Sequence, residues 1–215
     1  MRKLSVICLF FIVSCSSIDT NRIAPGYTEA FKAIDIAIFG YPENEISTAV
    51  IRSIPYASSL VKIGKGPIGL MILSSKENDI ETWVSADGVK IFIYQGRIIR
   101  TSGLTNNLVD YVLPKGANLF SPHNLKLQSY KSFEKPELIN LEVQIFLYKK
   151  GKQMVKLHDR EIELYLIEEE VINNELGWSR VNKYWLDDQG FVWKSEQFVS
   201  PRLPKFQIEI TKKPS

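Results

Sequence analysis

From residue 68 onward, short runs of Val, Ile, Leu, Phe, Tyr and Trp alternate with polar residues and are cut by turn formers. The runs cover 68–73, 81–84, 89–94, 98–101, 125–131, 139–148, 153–158, 161–167, 178–186, 191–199 and 206–211. Asp87-Gly88, Gln95-Gly96, Gly116, Lys150-Gly151 and Gln189-Gly190 separate them, and such punctuation predicts strands joined by tight turns. Only one stretch has helical spacing. Phe31, Ile34, Ala37 and Ile38 recur on one face, with Thr28 as N-cap and Gly40 and Pro42 beyond the end. The pattern predicts one mainly β domain over 28–215, an antiparallel barrel-like or sandwich fold with one short N-terminal helix.

The first fifteen residues follow a different rule. Arg2 and Lys3 precede an apolar run over 4–13 that ends in Ile12-Val13-Ser14-Cys15. That order is the order of a secretory signal, and the run is shorter than the roughly 20 residues a membrane-spanning helix needs. An aliphatic residue, a small residue and a cysteine form a lipobox. Residues 1–14 are therefore expected to be a signal peptide, Cys15 to carry the lipid, and residues 15–27 to act as a tether. Ser16 in place of Asp after the cysteine points to the outer membrane.

Composition narrows the partners. The chain has 27 basic and 24 acidic residues, and loss of Arg2 and Lys3 with the signal leaves it near neutrality, which argues against nucleic acid. Cys8 leaves with the signal and Cys15 is acylated, so no disulfide is expected. His123 and His158 are the two histidines, too few for a zinc site by spacing. Neither a metal nor a cofactor is expected. The phosphate-loop likeness of Gly64-Lys65-Gly66-Pro67 lacks the Walker spacing and reads as a turn before a strand. No nucleophile elbow occurs, and Ser121-Pro122-His123 has no evident carboxylate partner. Glu168-Glu169-Glu170 reads as a solvated acidic cluster at a strand end, while Trp178, Trp185 and Trp193 read as core or half-buried. No catalytic residue is expected.

The meander over 80–101 holds the candidate binding residues. A two-residue turn at Asp87-Gly88 would set Trp83 opposite Phe92 and Val84 opposite Ile91. Gln95-Gly96 would pair Tyr94 with Arg97 and Phe92 with Ile99. One face then collects Ile80, Thr82, Val84, Val89, Ile91 and Ile93 as core. The other collects Glu81, Trp83, Lys90, Phe92, Tyr94 and Arg97, aromatic platforms among charges, and is either a binding surface, as ligand sites are built, or a second, partly polar interior.

Ile54-Pro55-Tyr56-Ala57-Ser58, the turn at Gly64-Lys65-Gly66-Pro67, and Trp83-Val84-Ser85-Ala86-Asp87-Gly88 come in that order. Gly96-Arg97-Ile98-Ile99-Arg100-Thr101 with Gly103-Leu104 follows, then Tyr184-Trp185-Leu186-Asp187, Gly190 and Ser195-Glu196-Gln197. In this order the chain resembles the YjbF/GfcB family of outer-membrane lipoproteins. The resemblance implies a mostly β, barrel-like domain in a periplasmic lipoprotein that accompanies exopolysaccharide or group 4 capsule export. It transfers no catalytic residue, and only Cys15 takes a defined role from it. Residues 105–125 match least.

The expected function is therefore that of a lipoprotein in the outer membrane, facing the periplasm and assisting polysaccharide export by binding. Its expected partners are the membrane, through the lipid, and other export proteins. A rival is direct binding of the polysaccharide at Trp83, Phe92 and Tyr94. A carrier with an apolar barrel interior and an uncharacterised glycan hydrolase are the others. A large apolar cavity would favour the carrier, and two carboxylates facing across a cleft the hydrolase. A shallow aromatic groove would favour glycan binding, and a flat apolar patch docking.

Overall fold

The computed structural model describes residues 46–120 and 126–214. The signal peptide, Cys15, the tether, the helix expected over 28–39 and the Ser121-Pro122-His123 loop lie outside these residues. The described residues contain one short helix, α1 (Thr48–Ser53), capped by Ser47, whose side chain accepts from the Val50 N–H. It ends before Ile54-Pro55, because the residue preceding a proline is pushed out of the helical region.

Twelve strands follow: β1 (Ser58–Ile63), β2 (Ile68–Glu77), β3 (Ile80–Ser85), β4 (Lys90–Tyr94), β5 (Arg97–Ser102) and β6 (Leu108–Val112), then β7 (Lys126–Phe133), β8 (Leu138–Lys156), β9 (Glu161–Asn173), β10 (Trp178–Leu186), β11 (Val192–Gln197) and β12 (Phe206–Lys212). All pairings are antiparallel, in the order β5-β4-β3-β2-β1-β12-β11-β10-β9-β8-β7-β6. The first and last strands pair with each other, and the two edges, β5 and β6, are consecutive in the chain. The sheet thus curls into a nearly closed barrel, as the alternation predicts. At its seam the Leu108 N–H donates to Thr101 Oγ1 at 2.9 Å.

The interior is packed. Met71, Trp83, Ile91, Ile98, Leu108, Val143, Ile145, Leu147, Ile167, Val171, Tyr184 and Phe206 belong to one continuous core. They come from strands all around the belt, so side chains fill the barrel. Its end is further covered by the stretch after β6, where Ala117 and Leu119 are buried.

Three local expectations need correction. The first is the register of the β3–β4 hairpin. Trp83 pairs with Ile91, Thr82 with Phe92 and Val84 with Lys90, one residue away from the two-residue turn. Ser85, rather than Ala86, closes the loop: its N–H donates to Val89 O at 3.0 Å, and the Gly88 N–H to Ser85 O at 3.1 Å. Three residues then span the turn, with Gly88 at φ +86°, a conformation that glycine alone adopts readily. A one-residue slip exchanges the two faces of a strand, so Trp83 turns into the core and Thr82 and Val84 turn out. Tyr94 does pair with Arg97, but a bulge sets Phe92 opposite Arg100 instead of Ile99.

The second concerns Lys150-Gly151, which is a bulge inside the 19-residue β8 and joins what the pattern divides into two strands. Gly151 takes φ +101° there. Beyond the bulge, the ends of β8 and β9 form an arm laid on the outer wall of β10–β12. Val155, Leu157, Leu164 and Trp185 make a second small core beneath it, with Ile162, Leu166 and Trp193 packed alongside. The tip is pinned where the His158 N–H donates to the Glu209 carboxylate, and Lys194 Nζ donates to Lys156 O at 3.3 Å.

The third is the acidic run, which sits within β9 rather than at a strand end. Glu168 and Glu170 face outward and Glu169 is wholly buried.

Candidate functional site

The slip in register of β3 and the inward turn of Arg97 together disperse the six residues proposed for one binding face. Trp83 is buried in the core at 1 % exposure, and its Nε1 donates to Glu81 Oε2 at 3.2 Å. Phe92 lies on the outer wall with the Arg100 guanidinium 3.8 Å from its ring centroid. Lys90 and Tyr94 also belong to the outer face of β4. Arg97, the first residue after the Gln95-Gly96 turn, sends its guanidinium inward and is fully buried. The structure does not bring the six together.

Arg97 instead anchors a polar network inside the barrel. Its Nε donates to Glu169 Oε1 at 2.6 Å, with both side chains fully buried. Its Nη1 donates to the carbonyl of Ala117, in the stretch that covers the barrel end. Glu169 Oε2 accepts from Asn182 Nδ2 at 2.9 Å and from the Tyr184 hydroxyl at 2.8 Å. Gln197 extends the network: its Oε1 accepts from the Ile98 N–H at 2.9 Å, and its Nε2 donates to Gly96 O at 2.9 Å. Asn182 Oδ1 accepts from the Phe198 N–H at 2.7 Å. These bonds join β4–β5 to β9, β10 and β11 across the interior.

The electrostatics match this geometry. Burial opposes ionisation of Glu169, but the Arg97 guanidinium and the Asn182 amide outweigh it and hold the carboxyl below its ordinary value. Burial pushes the Tyr184 hydroxyl well up, as does the neighbouring Glu169 carboxylate. Lys131, on β7, is buried with its ammonium 4.3 Å from the Tyr111 ring centroid. Desolvation lowers its pKa to about 8, although Glu169 partly counteracts this. The network ties β5 to β9, β10 and β11, while Arg97 Nη2 and the Tyr111 hydroxyl are buried without a hydrogen-bond partner among the described residues. Sequence reading overlooked Glu169, Asn182, Tyr184 and Gln197 as partners. One signal was available: Glu169 is in phase with Ile167 and Val171, a charge at a core position.

Two recesses open near the barrel ends. One, of about 360 Å³, is lined mainly by Val61, Ile63, Pro67, Leu70, Met71, Val89 and Ile91. It lies at the lower end of the ligand-pocket range of roughly 300–1,000 Å³, above a filled core rather than a hollow one. The other, of about 100 Å³, holds Glu81 with Gln95, Phe191 and Trp193. Burial raises the Glu81 pKa, and the hydrogen bond from Trp83 and the charge of Lys76 partly offset this. Glu81 is the one carboxylate lining that cleft, whereas glycoside hydrolysis usually employs a facing pair. Among the described residues no three His, Cys, Asp or Glu side chains gather as a metal site.

Comparison with known proteins agrees with the barrel. The family model described as "Group 4 capsule polysaccharide lipoprotein gfcB, YjbF" matches residues 31–211. The uncharacterized lipoprotein YjbF of Escherichia coli (strain K12) is 21 % identical over 206 residues, which cover 93 % of this chain and 92 % of that one. The uncharacterized lipoprotein GfcB of the same organism is 22 % identical over 107 residues, 50 % of this chain and 46 % of its own. The crystal structure of the hypothetical lipoprotein YmcC from Escherichia coli (K12) superposes with a TM-score of 0.71 at 17 % identity, covering 90 % of this chain and 98 % of that one. That likeness establishes the shared fold. With the family match spanning nearly all of the barrel and the strand order that closes it, the chain belongs to the YjbF family of group 4 capsule polysaccharide lipoproteins.

Proposed function

We propose that this protein assists the export or assembly of a capsule or exopolysaccharide as a lipid-anchored accessory of the outer membrane, facing the periplasm and acting by binding rather than by catalysis. The observation that carries the reading is the family match over residues 31–211. The fully buried carboxylate Glu169 is held by Arg97, Asn182 and Tyr184 and has no access to a substrate.

The anchor is the lipid on Cys15. One acyl chain holds a protein to a membrane only marginally, whereas two or more hold it stably, so a triacylated cysteine should withstand high-salt washing. Labelled fatty acid should enter the wild-type protein and fail to enter Cys15→Ser, which should no longer fractionate with the outer membrane. Label in the Cys15→Ser protein would refute the anchor. In cells making the polymer, the lipidated protein should co-purify with export proteins, and deleting it should lower surface polysaccharide. Unchanged export in the deletion strain would overturn the reading.

A further inference from the structure

The outer wall of β7 and β8 carries an arrangement that the interior network does not use. The register of this pair sets Lys126 opposite Phe146, Gln128 opposite Gln144 and Tyr130 opposite Glu142. These three rows all point away from the core, because the alternate residues Ser129, Lys131, Val143 and Ile145 are the buried ones. A ring therefore stands at each end, on opposite strands, with two carboxamides between. The outer rows are four strand positions apart, roughly 14 Å at about 3.4 Å per residue. A shallow groove of about 280 Å³ lies on this wall, lined by Lys126, Leu127, Gln128, Glu142 and Gln144, and the two rings flank it in the end rows without lining it.

The chemistry of the groove is specific. Tyr130 is 38 % exposed, and its hydroxyl accepts from Gln128 Nε2 at 3.0 Å, which fixes the phenol relative to the amides. Phe146 places a pure hydrocarbon ring on a water-facing wall, with Lys126 Nζ at 6.0 Å from its centroid. One ammonium and one carboxylate balance across the groove, so it does not select a strongly charged ligand. Planar amides that both donate and accept, flanked by two aromatic side chains, suit a ligand that presents hydroxyls at its edge and C–H groups on its ring faces. That ligand is a sugar.

We infer that the β7–β8 outer wall is a sugar-binding platform that holds a short stretch of the exported polysaccharide between Tyr130 and Phe146, with Gln128 and Gln144 bonding its hydroxyls. The inference rests on the proposed role in polysaccharide export and names the surface and the ligand class for it. It places the polymer away from Trp83, which is buried, and away from Phe92, which Arg100 covers.

The test uses the full-length protein purified in detergent and immobilised, with polysaccharide extracted from the producing cells as the probe. Wild type should retain the polymer. Gln144→Ala and Phe146→Ala should each weaken retention by up to about tenfold, the upper range for one hydrogen bond and one ring contact respectively, with melting temperatures near wild type. Phe92→Ala, on a different part of the outer wall, should bind normally. If wild type binds while both groove variants bind equally well, or if Phe92→Ala loses binding in their place, the platform is wrong and the export role stands. If wild type binds no polymer yet restores export in the deletion strain, the inference alone falls. If the deletion strain exports normally, both fall.

Discussion

At the scale of single residues, the centre of this molecule is Glu169. Removing one partner of a buried ion pair typically costs about 3–5 kcal/mol, because the other charge is left uncompensated. Glu169→Ala should therefore lower the unfolding free energy by about that amount in urea titration, whereas replacing Arg97 and Glu169 together with apolar residues should recover much of it. The pH dependence has a definite sign. The folded carboxyl titrates below its ordinary value of 4.5, so its stabilisation is present above 4.5 and is lost as the pH falls through the lower folded value. The wild-type urea midpoint should drop across that acid window, and Glu169→Gln should flatten the drop. An unchanged acid profile in the variant would show that other groups control it. Residue type alone does not identify such a residue. Glu168, Glu169 and Glu170 are chemically identical, and only their phase relative to Ile167 and Val171 sends one of them inward.

At the scale of elements, the arm formed by the ends of β8 and β9 folds back on the outside of the barrel over its own small core. Leu164 is fully buried there, and a buried Leu→Ala change costs about 2–5 kcal/mol. Leu164→Ala should accelerate amide exchange over residues 151–166 and leave β1–β5 protected. Uniform loss of protection would mean that arm and barrel unfold as one unit. Most strands were legible because β-branched and aromatic runs between turn formers leave few alternatives, and the run over 178–186 coincides with β10. The missed strands are the atypical ones. β1 opens on Ser58 and Ser59, both buried, and β6 is five residues long with a central Asp110. The β3–β4 register was not legible, because Asp-Gly serves two-residue and three-residue turns alike. That single ambiguity moved Trp83 from the surface to the core and dissolved the binding face drawn around it.

At the scale of the whole belt, β12 lies between β1 and β11 and brings Phe206, Ile208 and Ile210 into the core. Deleting Phe206–Lys212 should leave two unpaired strand edges facing each other, and the truncated chain should lack near-ultraviolet circular dichroism and aggregate. A truncated chain with a native spectrum would show that the closure is dispensable. The belt thus has two unlike meridians. Where β5 meets β6, a short loop of chain spans the gap, whereas the first and last strands are joined by a full ladder. Tension carried along the backbone into α1 reaches the barrel end-on at β1. There it meets six residue pairings with β12 on one side and five with β2 on the other. A pull along that axis must slide both ladders at once instead of peeling them apart one bond at a time. A body held by its N-terminal side on a moving surface is thereby loaded along both ladders of β1 together.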